Sequence, residues 1–263
     1  MMMHCHCSMC RKHHGAAFAT FVAAPFAAFR WLEGEEEIGE YRSSEHGTRS
    51  YCTRCGSVAP TLMPEAGFAI APAGNLEGDP GVRPQMHVFV GSKAPWYEIA
   101  DAVPQHDAKP PGFGGGTGVP RPERKARDGV IAGSCLCGEV AYELRNPQRM
   151  YNCHCWRCRR GRSAAHASNL FVSLDDFTLV SGEDSIAQYK VPEALRFTVA
   201  FCTRCGGGAP RVARDRGVAA VPAGTLDSDP GIRPQAHIYV GSKAPWFDIL
   251  DDIPQYAEGP PAF

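Results

Sequence analysis

The sequence predicts a mainly β fold, built twice in one chain. A cysteine cluster occurs twice: Cys5, Cys7 and Cys10 recur 148 residues later as Cys153, Cys155 and Cys158. Short β-branched or alternating runs flank such clusters, as in Arg196 to Cys202, which leads straight into Cys202-Thr203-Arg204-Cys205-Gly206. No stretch sustains the three-to-four-residue apolar period of a long amphipathic helix.

The repeat extends well beyond the cysteines. Tyr189 answers Tyr41 at the same spacing of 148, and Cys202 and Cys205 answer Cys52 and Cys55 at 150. The second copy therefore carries two extra residues between Tyr189 and Cys202, near Val191-Pro192-Glu193. The longer spacing then holds to the end. Pro72-Ala73-Gly74-Asn75-Leu76 matches Pro222-Ala223-Gly224-Thr225-Leu226, and Gly91 to Trp96 matches Gly241 to Trp246. We expect one domain over 1–110, a Gly/Pro-rich and charged linker over 111–128, and a second domain over 129–263. Each copy is near the size at which a domain buries only a modest fraction of its surface, so metal staples would help.

Individual elements follow. Glu139 to Leu144 and Ala236-His237-Ile238-Tyr239-Val240 read as strands. In Cys-x-x-Cys-Gly the glycine allows the tight turn that aims both sulfurs at one ion. Ser173 reads as an N-cap, with Asp176 at the third helical position. The acidic run Glu33 to Glu40 reads as a solvated hairpin or loop. His87 and His237 fall mid-strand at equivalent positions, as hydrogen-bonded core histidines. Trp96 and Trp246 read as packing anchors. His166 answers Phe18, which argues against a catalytic role shared by the copies. Gly-Ser-Lys at 91–93 and 241–243 lacks the upstream glycine of a phosphate loop.

Composition narrows the function. The net charge of −1 and pI near 6.8 leave no general footprint for nucleic acid, and neither half is basic. The longest apolar run, Ala16 to Phe29, is 14 residues and is broken by Thr20 and Pro25, too short for a bilayer span. The start shows no charged region followed by an apolar one, so we expect a cytoplasmic protein without a signal peptide. All 12 cysteines lie in Cys-x-Cys or Cys-x-x-Cys clusters, as metal ligands do. A thioredoxin-like site would instead open a helix in a βαβ unit, and disulfides are rare in reducing cytosol.

The seven cysteines of the second copy divide into four and three. Cys135, Cys137, Cys202 and Cys205 make a closed zinc site of the structural kind. Cys153, Cys155 and Cys158 leave one position open, unless His154 or a remote residue closes it. Three thiolates around Zn²⁺ carry a net −1, better suited to holding a further thiolate than to activating water. Arg157, Arg159, Arg160 and Arg162 crowd the same stretch, either as a solvated basic loop or to neutralise the site and grip substrate carboxylates. The first copy retains Cys5, Cys7 and Cys10 but only Cys52 and Cys55 of its staple. The partner Cys-x-Cys would fall before Met1. That half-site should load zinc weakly, and the first domain should lean on its neighbour.

Gly133-Ser-Cys-Leu-Cys-Gly-Glu-Val, Asn152-Cys-His-Cys-Trp-Arg-Cys-Arg, Phe201-Cys-Thr-Arg-Cys-Gly and His237-Ile-Tyr-Val with Trp246 together resemble the glutathione-dependent formaldehyde-activating (GFA) family, which also includes centromere protein V. The resemblance covers 129–256 fully, and 1–107 without the first motif. It implies tandem β-tent folds of small antiparallel sheets with zinc knuckles. It implies a structural zinc on Cys135, Cys137, Cys202 and Cys205, and a catalytic zinc on Cys153, Cys155 and Cys158. The implied activity is a carbon–sulfur lyase that joins a small thiol such as glutathione to an aldehyde such as formaldehyde, reversibly. A non-catalytic zinc-stabilised binding module is the alternative.

Overall fold

The computed structural model describes residues 1–45, 47–110, 127–195 and 197–260. Most of the expected linker therefore lies outside the described residues, as does Arg196 of the expected strand. The architecture is mainly β, with two α-helices among the described residues, α1 (Ser8–His14) and α2 (Trp156–Arg162). Neither helix is long and apolar enough to cross a membrane.

Each copy carries one six-stranded sheet. In the second copy its order is Arg211–Ala213, Val218–Pro222, Ala167–Ser173, Arg149–Cys153, Ala236–Ile238, Gln255–Tyr256. The first copy repeats this with Thr61–Met63, Phe68–Pro72, Ala19–Pro25, Met2–Cys5, His87–Val88 and Gln105–His106. The cysteine strand pairs antiparallel on one side and parallel, to the histidine strand, on the other. Ala167–Ser173 alternates between deep and partial burial along its second half, as a strand with one face on the core must. A two-stranded hairpin brings in the Cys-x-x-Cys turn of each copy: Ile38–Ser44 with Gly47–Cys52, and Ile186–Lys190 with Thr198–Cys202. The second copy adds a sheet of Phe177–Ser181, Ala141–Leu144 and Ile131–Ser134. The helix start at Ser173 is a single 3-10 turn, Leu174–Asp176, whose cap is present: Ser173 Oγ accepts from the Asp175 amide. The expected strand from Ala236 stops at Ile238 because Tyr239 turns into the left-handed region, at φ 56°.

The two copies share one core. Met2, Phe18 and Trp96 from the first pack in the same cluster as Tyr142, Leu170 and Trp246 from the second. Both tryptophans are 1% exposed, as packing anchors are. The contact is reciprocal. α1 packs on the turn Ala223–Thr225, and α2 on Ala73–Asn75. A Cβ on Gly74 would lie 2.2 Å from the Ala164 amide nitrogen, and one on Gly224 would lie 2.3 Å from the Ala16 carbonyl oxygen. Only glycine lets these backbones meet. Tyr51 Oη donates to the Thr203 carbonyl across the same boundary, at 2.6 Å.

Candidate metal centres

The closed cluster is built at the meeting of two turns. Cys135 and Cys137 follow the strand Ile131–Ser134, and Cys202 and Cys205 bracket the end of Thr198–Cys202. Their four sulfurs lie within 4.8 Å of one another, with Cys135–Cys137 at 3.5 Å and Cys137–Cys202 at 3.8 Å. These separations are far beyond a disulfide bond, and all twelve cysteines are free thiols. Hydrogen bonds from Cys137, Cys202 and Cys205 hold Cys135 well below the usual thiol range, and the same bonds push Cys202 and Cys205 up. Four thiols this close cannot all ionise unaided. A dication supplies what they lack, so the donor set fits a structural zinc.

The three-cysteine centre of the second copy sits where the strand Arg149–Cys153 runs into α2. Cys155 is the helix N-cap, and its sulfur accepts from the Cys158 amide at 3.3 Å. Hydrogen bonds from Cys153 and Cys158 draw Cys155 down to about 3, while Cys153 is pushed up to about 12 by its bond to Cys155. Cys155 and Cys158 are partly exposed, and all three cysteines line a cavity of about 880 Å³. Trp156, Phe171, Phe197 and Tyr239 contribute aromatic wall, with Arg157 and Arg211 as cations. This donor set also fits zinc, with three thiolates and one side open to the cavity.

The histidine between the paired cysteines turns the other way. His154 is fully buried, and its Nε2 lies 2.8 Å from His237 Nδ1. His237 Nε2 in turn lies 3.0 Å from both carboxylate oxygens of Asp251. Burial, with His166 and His237 nearby, lowers His154 to about 2. The three-sulfur group does not include it. His6, His87 and Asp101 repeat the same chain in the first copy. These relays tie each cysteine loop to its neighbouring strand and explain the mid-strand histidines. His4 is also buried, with Nδ1 at 2.8 Å from Thr20 Oγ1.

The arginines divide. They sit on α2 rather than on a loop. Arg157 and Arg162 line the cavity, and Arg157 lies over the Trp156 ring. Arg160 reaches Glu77 of the first copy at 3.4 Å. Burial lowers Arg159, with the Cys155 thiolate opposing that shift.

In the first copy Cys5, Cys7 and Cys10 again converge, and here all three are buried. Arg49 Nη1 donates to Cys10 Sγ at 3.5 Å. Cys52 and Cys55 belong to no group of three ligands among the described residues. Cys55 Sγ lies 3.4 Å from Ser57 Oγ, and its bond from Cys52 draws it down to about 5.

Sequence reasoning missed Arg49, Tyr239 and the wall formed by Glu193, Ala194, Leu195 and Phe197. The two extra residues near Val191 were the available signal for that wall. Tyr239 needs its backbone turn to reach the cavity, and no motif announces the turn.

Among curated proteins none matches this chain. A solved Rhodobacter sphaeroides protein from structural genomics is 24% identical, over 39% of this chain and 97% of its own, with a TM-score of 0.30. The family model for the glutathione-dependent formaldehyde-activating enzyme matches residues 1–92 and again 130–242. With the two matched segments falling on the two copies of one cysteine framework, the chain belongs to that family.

Proposed function

We propose that the second copy is a carbon–sulfur lyase acting on adducts of a small thiol, such as glutathione, with an aldehyde, such as formaldehyde. The observation that carries this reading is the partial exposure of Cys155 and Cys158 on a large cavity. A zinc ion on Cys153, Cys155 and Cys158 would supply the charge that keeps an incoming thiol deprotonated. Arg157 and Arg211 offer paired donors for substrate carboxylates. The cavity holds thiol and aldehyde together, which removes much of the entropic cost of their meeting. In the forward direction the sulfur–carbon bond forms, the carbonyl π bond breaks, and the thiol proton ends on the carbonyl oxygen. Tyr151, Thr198, Tyr239 and Ser242 place hydroxyls around the cavity for that proton transfer. Twelve free thiols suit a reducing compartment such as the cytoplasm.

A non-catalytic binding module is the second reading. It is favoured by the inward turn of His154, which leaves the cavity without a histidine base. Exchange NMR of glutathione with formaldehyde separates the two. The lyase reading expects faster exchange with the protein present, lost in Cys155→Ser while the fold is retained. No acceleration with any aldehyde in a broad set would leave the binding module.

A further inference from the structure

The two three-cysteine centres are built by the same local sequence but differ in what stands over them. The hairpin register fixes the comparison: Tyr41 pairs with Arg49 in the first copy, and Tyr189 pairs with Val199 in the second. Position 49 is therefore the structural counterpart of position 199. Val199 lines the open cavity above Cys153, Cys155 and Cys158. Arg49 instead sends its guanidinium to Cys10 Sγ at 3.5 Å.

That guanidinium is held in place. Arg49 Nε donates to Ser43 Oγ at 3.2 Å, and Ser43 Oγ donates to the Gly47 carbonyl at 3.0 Å. The hairpin allows this because its first strand runs on to Ser44 and the second resumes at Gly47. In the second copy the paired strands part after Lys190 and resume only at Thr198. The two extra residues lie in that gap, and Glu193, Ala194, Leu195 and Phe197 from it become cavity wall. The consequence shows in exposure. Cys5, Cys7 and Cys10 are 6%, 8% and 4% exposed, whereas Cys155 and Cys158 are not buried.

We propose that Arg49 caps the first centre, standing where a thiol enters the second, so that this chain has one thiol-admitting centre and one that is closed. Charge supports the same conclusion. Three thiolates on a dication leave −1, and the guanidinium brings the first centre to neutrality. A guanidinium keeps its charge at any pH at which proteins fold. A thiolate entering would have to displace a cation bonded to both Cys10 and Ser43. The argument extends the function proposed above, since it assumes that the second centre takes a thiol.

The test uses the full chain with cobalt(II) in place of zinc, titrated with 2-mercaptoethanol and read by the thiolate-to-cobalt absorption band. Metal content is measured first. The wild type should saturate at a single thiol per chain. Arg49→Val should take up a second, and Val199→Arg should lose the one. Two thiols in the wild type would overturn the cap and leave the lyase reading standing. A single thiol in an Arg49→Val chain that keeps its cobalt would do the same. If Arg49→Val sheds that cobalt, Val199→Arg decides, and undiminished uptake there overturns the cap. A wild type that takes none, while Arg49→Val gains one, would overturn the lyase reading and keep the cap. No uptake by any of the three overturns both.

Discussion

Lys12 and Arg160 occupy equivalent places on α1 and α2, and each reaches an acid on the opposite copy. Lys12 pairs with Asp227 at 2.5 Å and is 4% exposed, while Arg160 pairs with Glu77 at 3.4 Å between side chains 48% and 84% exposed. The positions correspond, and the surroundings do not. The strand Ile131–Ser134 covers Lys12, whose Nζ also donates to Ser134 Oγ at 2.7 Å and to the Ser134 carbonyl at 2.8 Å. No counterpart of that strand stands over Arg160 among the described residues. One added strand thus does two things. It buries an ion pair, and it carries Cys135 and Cys137 into the closed cluster. The copies differ at their covers far more than at their cores.

The largest expected contrast lies between equivalent cysteines. Cys202→Ser breaks a four-sulfur site, where a bound zinc would contribute folding free energy on the order of 10 kcal/mol, and should unfold the second copy. Cys52→Ser removes half of a two-sulfur pair and should cost less than about 1 kcal/mol. Chemical denaturation with zinc release followed in parallel checks both, and equal losses would show that the first copy completes its staple.

The ion pairs should separate next. Lys12→Ala leaves Asp227 and Ser134 without their cation in a buried site, at a cost of about 3–5 kcal/mol. Arg160→Ala should cost no more than about 1 kcal/mol, because its pair is screened by water. Matched urea titrations read the difference, and similar midpoints would mean that the covering strand does not seal Lys12.

A smaller effect concerns His14, whose counterpart in α2 is Arg162. His14 Nδ1 lies 2.9 Å from the Arg162 carbonyl and 3.1 Å from that of Ser163. Burial lowers it from 6.5 to about 4. The unfolded chain therefore binds this proton before the folded one does. The stability it contributes is present above about pH 6.5 and is lost as pH falls toward 4, by on the order of 3 kcal/mol. His14→Gln should be flatter than the wild type over that window. Parallel slopes would remove His14 from the account, since loss of metal at acid pH is common to both chains.

What was legible in the sequence was local. Ligand spacing in Cys153, Cys155 and Cys158 is set within a strand end and one helical turn, so the pattern alone brings the sulfurs together. The staple required only that two knuckle-like pairs find each other. The cap by Arg49 was hidden because it depends on hairpin register, which a two-residue difference announces but does not orient. The Lys12–Asp227 pair joins opposite halves of the chain, beyond the reach of any periodicity. The shared core was half visible. A weakened first copy was expected to lean on its neighbour, but the backbone contacts at Gly74 and Gly224 are seen only when the two turns are placed together.

Those two glycine contacts are reciprocal in the way that the halves of a twofold homodimer interface are. A homodimer assembles at a rate and to an extent set by concentration, whereas covalently joined halves meet at an effective concentration fixed by their tether. The tandem chain should therefore hold its interface at any dilution. Joining also removes a genetic constraint. In a homodimer every substitution appears on both sides of the axis at once. Here position 49 is arginine while position 199 is valine, two residues at one structural position. The twofold packing is preserved, and the two sides are free to diverge into different chemistry.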